Sequence, residues 1–166
     1  MSNKTAIFYG SSTGNTKTIA EKLQKAFDAD IFDVAKASAA DVSNYDFIII
    51  GVSTWGIGDL QDDWEDFLPK FEKANLNGKY VALFGLGDGD AYPDSFVDGI
   101  GTIYNAIKDS GGKFIGFTET EGYSFDDSTA LVDGKFAGLP LDEDNESNLT
   151  DSRLEKWVEQ LKVEFV

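Results

Sequence analysis

The sequence contains no cysteine and no histidine, only three prolines and one methionine, and its acidic residues outnumber its basic ones by 30 to 14. Without cysteine there is no disulfide framework, no thiolate metal centre and no cysteine nucleophile. Without histidine, imidazole metal sites, Ser-His-Asp triads and ordinary proton shuttling near neutral pH are excluded, which leaves carboxylates and backbone amides as the main chemical tools. The shortage of positive charge, a net −16, sets up a repulsive field against phosphate backbones and anionic lipid. Nucleic-acid and membrane partners are therefore not expected, and the basic surface of another protein is. No apolar run approaches the roughly 18 residues of a membrane span. The start, Met1-Ser2-Asn3-Lys4, does not lead into the apolar core of a signal peptide. The chain is expected to be cytoplasmic, or stromal in a plastid if a transit peptide has been removed.

What is present suits a packed globule: 166 residues, 42% of them hydrophobic and 13% aromatic, fit one domain covering 1–166. Thr5 to Tyr9 reads as a strand that breaks into a polar loop, Gly10 to Thr16. Ile19, Ala20, Leu23 and Phe27 then fall at helical spacing. A second strand fits Asp30 to Val34. Phe47 to Val52 is an almost unbroken apolar run, as expected of a central parallel strand covered on both faces. Trp64, Phe67, Leu68 and Phe71 mark a helix, Tyr80 to Leu86 a fourth strand, and Phe96 to Ile107 a further helical stripe. Lys113 to Thr118 gives a fifth strand, and Leu154 to Phe165 a closing helix. This alternation predicts an α/β fold, a doubly wound five-stranded parallel sheet of order 2-1-3-4-5. Glu119 to Asn148 does not fit the alternation and reads as an insertion that interrupts strand five, with Lys135 to Leu141 as a short strand inside it.

In such sheets a ligand lies beyond the carboxyl ends of the strands, where strand order reverses. Three loops meet there: Gly10 to Thr16, Ser53 to Asp59 and Gly85 to Tyr92. The first holds four hydroxyls and two glycines directly before a helix, a ready phosphate cradle that lacks the lysine and spacing of a Walker loop. Trp64 and Trp157 sit on helical apolar stripes and are assigned to the core. Trp55 and Tyr92 have no such periodic reason to be buried. Two aromatic planes flanking a crevice with a phosphate cradle at its base suit a flat heteroaromatic ligand with a phosphate tail.

These motifs resemble those of the long-chain flavodoxins. Ser11-Ser12-Thr13-Gly14-Asn15-Thr16 is similar to the family's phosphate loop, Thr54-Trp55-Gly56 to its inner stacking loop, and Gly85-Leu86-Gly87-Asp88 with Tyr92 to its outer one. The insertion, ending in Leu141-Asp142-Glu143-Asp144-Asn145, resembles the one that separates long-chain from short-chain members. The resemblance implies a flavodoxin-like fold and a noncovalently bound FMN. It also implies a low-potential one-electron carrier cycling between semiquinone and hydroquinone, working as a monomer with redox proteins such as a flavodoxin reductase. Ser11, Ser12, Thr13, Gly14, Asn15 and Thr16 would hold the phosphate, and Thr54 with Asp144 would lie near the ribityl chain. Trp55 would cover the inner flavin face and Tyr92 the outer, while Gly87, Asp88 and Ser95 would meet the pyrimidine edge. The Gly56–Ile57 peptide is expected to turn its carbonyl toward flavin N5. Two departures stand out: many long-chain members carry lysine where Asn15 stands, and asparagine is common at the position of Gly56.

The acids Asp59, Asp62, Asp63, Glu65 and Asp66, together with Asp88, Asp90 and Asp94, crowd the two aromatic loops. They are expected to oppose the second electron and to steer a basic partner. An alternative is a flavin-dependent NAD(P)H:quinone reductase on the same fold. Against it, Gly85-Leu86-Gly87 is followed by Asp90 where a G-x-G-x-x-G turn needs glycine. A receiver domain would need acids after strand one and an aspartate after strand three, where this chain has Ser-Ser-Thr and Ser-Thr-Trp.

Overall fold

The structure is a computed structural model that describes residues 4–10, 14–55 and 59–165. Strand β1 (Thr5–Tyr9) leads to α1 (Asn15–Phe27) and β2 (Asp30–Asp33). A 3-10 turn (Ala39–Asn44) opens on a capping box, in which the Ser38 hydroxyl accepts from Ala40 and Asp41 reaches back to the Ser38 N–H. It is followed by β3 (Phe47–Trp55), β4 (Asp59–Leu60), α2 (Asp62–Phe71), β5 (Tyr80–Leu86) and α3 (Asp98–Ile107). The chain continues through β6 (Lys113–Ile115), β7 (Leu131–Val132), β8 (Lys135–Phe136) and β9 (Leu139–Leu141) to α4 (Ser147–Glu164).

The parallel sheet runs β2-β1-β3-β5-β6, which is the expected 2-1-3-4-5. Alternate residues of each central strand face opposite layers. Phe8, Ile48, Ile50, Val81 and Leu83 pack with Trp64, Phe67 and Phe71 of α2 and Ile100, Ile103 and Ile107 of α3. Ile7, Phe47, Ile49, Ala82 and Phe84 pack with Ile19 and Leu23 of α1 and Leu154, Trp157 and Leu161 of α4. Both faces are covered, which explains the unbroken apolar run in β3. Each fully buried Ile or Phe there contributes about 1.5–3 kcal/mol. Trp64 and Trp157 are core residues as expected, and each indole satisfies its N–H on a backbone carbonyl, Gly51 and Gly116 respectively, at 2.8 Å.

The outer edge of β5 carries two strands end to end. β6 pairs with Tyr80–Ala82, and β9 with Phe84–Leu86. The interruption of the fifth strand is thus as expected, but its inner boundaries differ. Strand five leaves the sheet after Ile115 instead of Thr118. The stretch from Lys135 to Leu141 is two strands, because Phe136 turns into a ring cluster with Phe96, Tyr123 and Phe125 while β8 pairs back on β7. β3 also runs three residues past Val52, with Ser53 paired to Leu86 and Thr54 and Trp55 paired to the antiparallel β4. Among the described residues no helix is long and apolar enough to cross a membrane.

Candidate cofactor site

An open cleft of about 270 Å³ lies at the carboxyl ends of β3 and β5, against the first turn of α1. Its floor is polar. Thr16, 1% exposed in the first turn of α1, brings its hydroxyl to 3.3 Å from that of Ser53. Asn15 lies beside it, and α1 is entered through Gly14 at φ 93°, a left-handed conformation that glycine adopts without strain. The orphan N–H groups of this helix start, with the neighbouring hydroxyls, make a binding face for an anion. Thr54 follows Ser53 in the wall, and its hydroxyl accepts the Gly99 N–H at 2.8 Å.

The opposite wall is built from the chain leaving β5. Leu86, Gly87, Asp88 and Tyr92 line it, with Glu143 and Asp144 arriving from the loop after β9. Gly87 donates its N–H to Leu141 O at 3.0 Å, which fixes the two loops side by side. Tyr92, 41% exposed, is one of two large hydrophobic side chains left exposed among the described residues. The Ala91 N–H foremost, aided by Asn145 and the Asp90 N–H, holds the Asp88 carboxyl below its ordinary range against the opposing effect of burial. Asp144 is shifted the other way, by burial first and then by the negative charges of Asp88, Asp142 and Glu143.

Of the residues expected at the site, the structure brings together Asn15, Thr16, Thr54, Gly87, Asp88, Tyr92 and Asp144. Gly14 caps α1 just outside the lining. Ser95 does not line the cleft; it is buried in the turn behind Tyr92, its N–H on Tyr92 O at 3.3 Å. Ser11, Ser12, Thr13, Gly56 and Ile57 lie outside the described residues, and Trp55 is described only by its backbone at the end of β3. Ser53, Leu86 and Glu143 line the cleft without having been singled out. Each adjoins a residue that was, and the extension of β3 is what turns Ser53 toward Thr16.

Among the described residues no lysine or arginine lines the cleft, whereas three acids do. No group of three metal-ligating side chains gathers among the described residues. The arrangement offers neutral hydrogen-bond donors for an anion, an exposed aromatic wall and an acidic rim.

The family model for flavodoxin matches residues 7–157. The chain is 48% identical to a curated flavodoxin of Nostoc sp. over 99% of both chains, and 45% identical to flavodoxin 1 of Salmonella typhimurium over 97% of this chain and 94% of that one. Among solved structures, a Fusobacterium nucleatum flavodoxin bound to flavin mononucleotide superposes with a TM-score of 0.92 at 32% identity, covering 98% of this chain and 99% of that one. The chain belongs to the flavodoxin family. It is thereby an electron-transfer protein and not an enzyme, which sets aside the quinone-reductase alternative.

Proposed function

We propose that FMN occupies this cleft and that the protein carries single electrons between redox proteins, alternating between its one-electron-reduced and fully reduced states. The observation that carries the reading is the coincidence of an exposed Tyr92 ring with a polar floor at the start of α1 that no described lysine or arginine lines. The donor set fits the group. The Thr16 and Ser53 hydroxyls and the helix-start amides would take a phosphate, with Ser11, Ser12 and Thr13 completing the loop. Thr54 and Asp144 would flank the chain between phosphate and ring. Tyr92 and Trp55 would cover the two faces of the ring, and Gly87 and Asp88 would meet its polar edge. The Fusobacterium relative, which carries FMN on the same fold, supports this assignment.

Bound FMN supplies a ring that takes up and releases electrons one at a time. The chain determines the energy of those events. Tyr92 would exclude water from one side, and the carbonyl of the Gly56–Ile57 peptide would serve as acceptor for a proton at the ring's N5. Asp88, Glu143 and Asp144 line the cleft and no described lysine or arginine does, so negative charge added to the ring would meet repulsion. One full charge at ~10 Å and an effective dielectric of ~20 contributes roughly 1.7 kcal/mol. The exposed acids Asp62, Glu65, Asp66, Asp90 and Asp94 form the face for a basic partner such as a flavodoxin reductase. The whole chain acts as one domain and as a monomer, in the cytoplasm or a plastid stroma.

The test is the absorption spectrum of purified protein during stepwise reduction. One equivalent of tightly bound FMN and a long-wavelength band that grows and then fades are expected. Colourless protein whose apo form takes up no FMN would overturn the reading.

A further inference from the structure

The segment from Gly87 to Tyr92 leaves β5 as the outer wall of the cleft, and two side chains that do not line the cleft fix its conformation. Asp142, just after β9, is 3% exposed. Its Oδ2 accepts the Gly89 N–H at 3.0 Å, and its Oδ1 accepts the Asn145 N–H at 3.0 Å. The Asn145 side-chain amide reaches the two Asp142 oxygens at 3.1 and 2.9 Å and donates to Asp88 Oδ1 at 2.7 Å. An amide nitrogen has two hydrogens, so one serves Asp88 and the other is shared across Asp142. The same Asp88 oxygen accepts the Asp90 and Ala91 N–H groups at 3.2 and 2.9 Å. Hydrogen bonds therefore run without a gap from buried Asp142 through Asn145 and Asp88 to the residue preceding Tyr92. Gly89 makes the close approach possible: a Cβ there would stand 2.8 Å from Ser124 O and 3.3 Å from Asp142 Oδ2.

We infer that Asp142 and Asn145 are positioning residues for the cofactor, setting the attitude of the Tyr92 ring over the cleft without touching the ligand. The inference rests on the assignment of the cleft to FMN. Without the Asn145 amide, Asp88 loses its tie to Asp142 and the Tyr92 segment samples further conformers. Only the fraction that closes over the ring binds well, and apparent affinity falls by that fraction.

The experiment titrates FMN into apoprotein of the parent, Asn145→Ala, Tyr92→Ala and the double variant, following the quenching of flavin fluorescence. With Tyr92 present, Asn145→Ala is expected to raise Kd about tenfold; with Tyr92 already removed, the further rise stays below about twofold, because coupled residues are not additive. Asp142→Asn, which puts a donor where Gly89 or Asn145 needs an acceptor, should reproduce the loss. Amide hydrogen exchange in the Asn145→Ala apoprotein should quicken at Gly89 and Ala91. A Kd within about twofold of the parent overturns the inference, and so does an equal loss in both Tyr92 backgrounds, since the effect would then bypass the ring. Parent protein that binds no FMN overturns the assignment of the cleft itself, a result seen before any variant is compared.

Discussion

Thr54 and Gly99 join two elements that carry the site: the threonine hydroxyl at the end of β3 accepts the glycine N–H in the first turn of α3 at 2.8 Å. That turn begins after Val97, whose side chain offers no cap, so Thr54 satisfies an orphan helix donor from a different element. Thr54→Val should leave a buried N–H unpaired and lower apoprotein stability by about 1–3 kcal/mol. Thr54→Ser should retain most of it. Urea unfolding of the two variants against the parent checks the difference.

Tyr92 separates affinity from stability. Its ring is 41% exposed, so Tyr92→Ala should change apoprotein stability by no more than about 0.5 kcal/mol. The same change removes an aromatic wall, and FMN affinity should fall about tenfold, or about 1.4 kcal/mol. Unfolding curves and an FMN titration on one preparation measure both.

Asp88 gives the outer loop an acid limit. Its carboxyl is held low, chiefly by the Ala91 N–H, so its contribution is in place above the unfolded value of about 3.9 and is lost as pH falls through the lower folded value. Exchange protection at Ala91 should persist at pH 5 and decline only below about 3.9. In Asp88→Asn that acid step should be missing.

Asp144 behaves with the opposite sign. Its folded value is raised, first by burial and then by Asp88, Asp142 and Glu143. Its favourable contribution is complete below about 3.9 and disappears as pH rises through the folded value, so the ionised group opposes the fold at neutrality. Asp144→Asn apoprotein should melt higher than the parent at pH 7, and the gap should close as pH approaches 4. Melting temperatures across that range decide it.

The proposed steering role of the acidic rim should make electron exchange sensitive to salt. If Asp62, Glu65, Asp66, Asp90 and Asp94 guide a basic partner, the association rate should fall steeply as the Debye length shrinks from about 10 Å at 0.1 M to about 3 Å at 1 M salt. Stopped-flow rates with a basic reductase measure it, and a flat profile would remove steering from the account.

Much of this architecture is legible in the sequence because its signals are local. The apolar run from Phe47 to Val52 announces a strand covered on both sides, and the stripes carrying Trp64 and Trp157 announce two helices. Tyr92 stands out as an aromatic residue outside any period, and the cleft uses it. Other features depend on residues far apart in the chain. Ser53 joins the floor only because β5 and β4 hold β3 extended past Val52. The pairing of Gly89 with Asp142 spans 53 positions, and no local pattern foretells it. The stretch from Lys135 to Leu141 splits because Phe136 finds ring partners in the insertion, a choice that neighbouring residues do not encode.

β6 and β9 occupy one edge of β5 in tandem, each held by its own ladder. The alignment of Leu139–Leu141 on Phe84–Leu86 therefore rests on its own three pairs and not on continuity with β6. The reversal at Asp133 and Gly134, exposed at the tip of the β7–β8 hairpin, is accordingly a splice point. A peptide epitope or a fluorescent reporter spliced there would ride on the molecule while the rim at Asp144 kept its place.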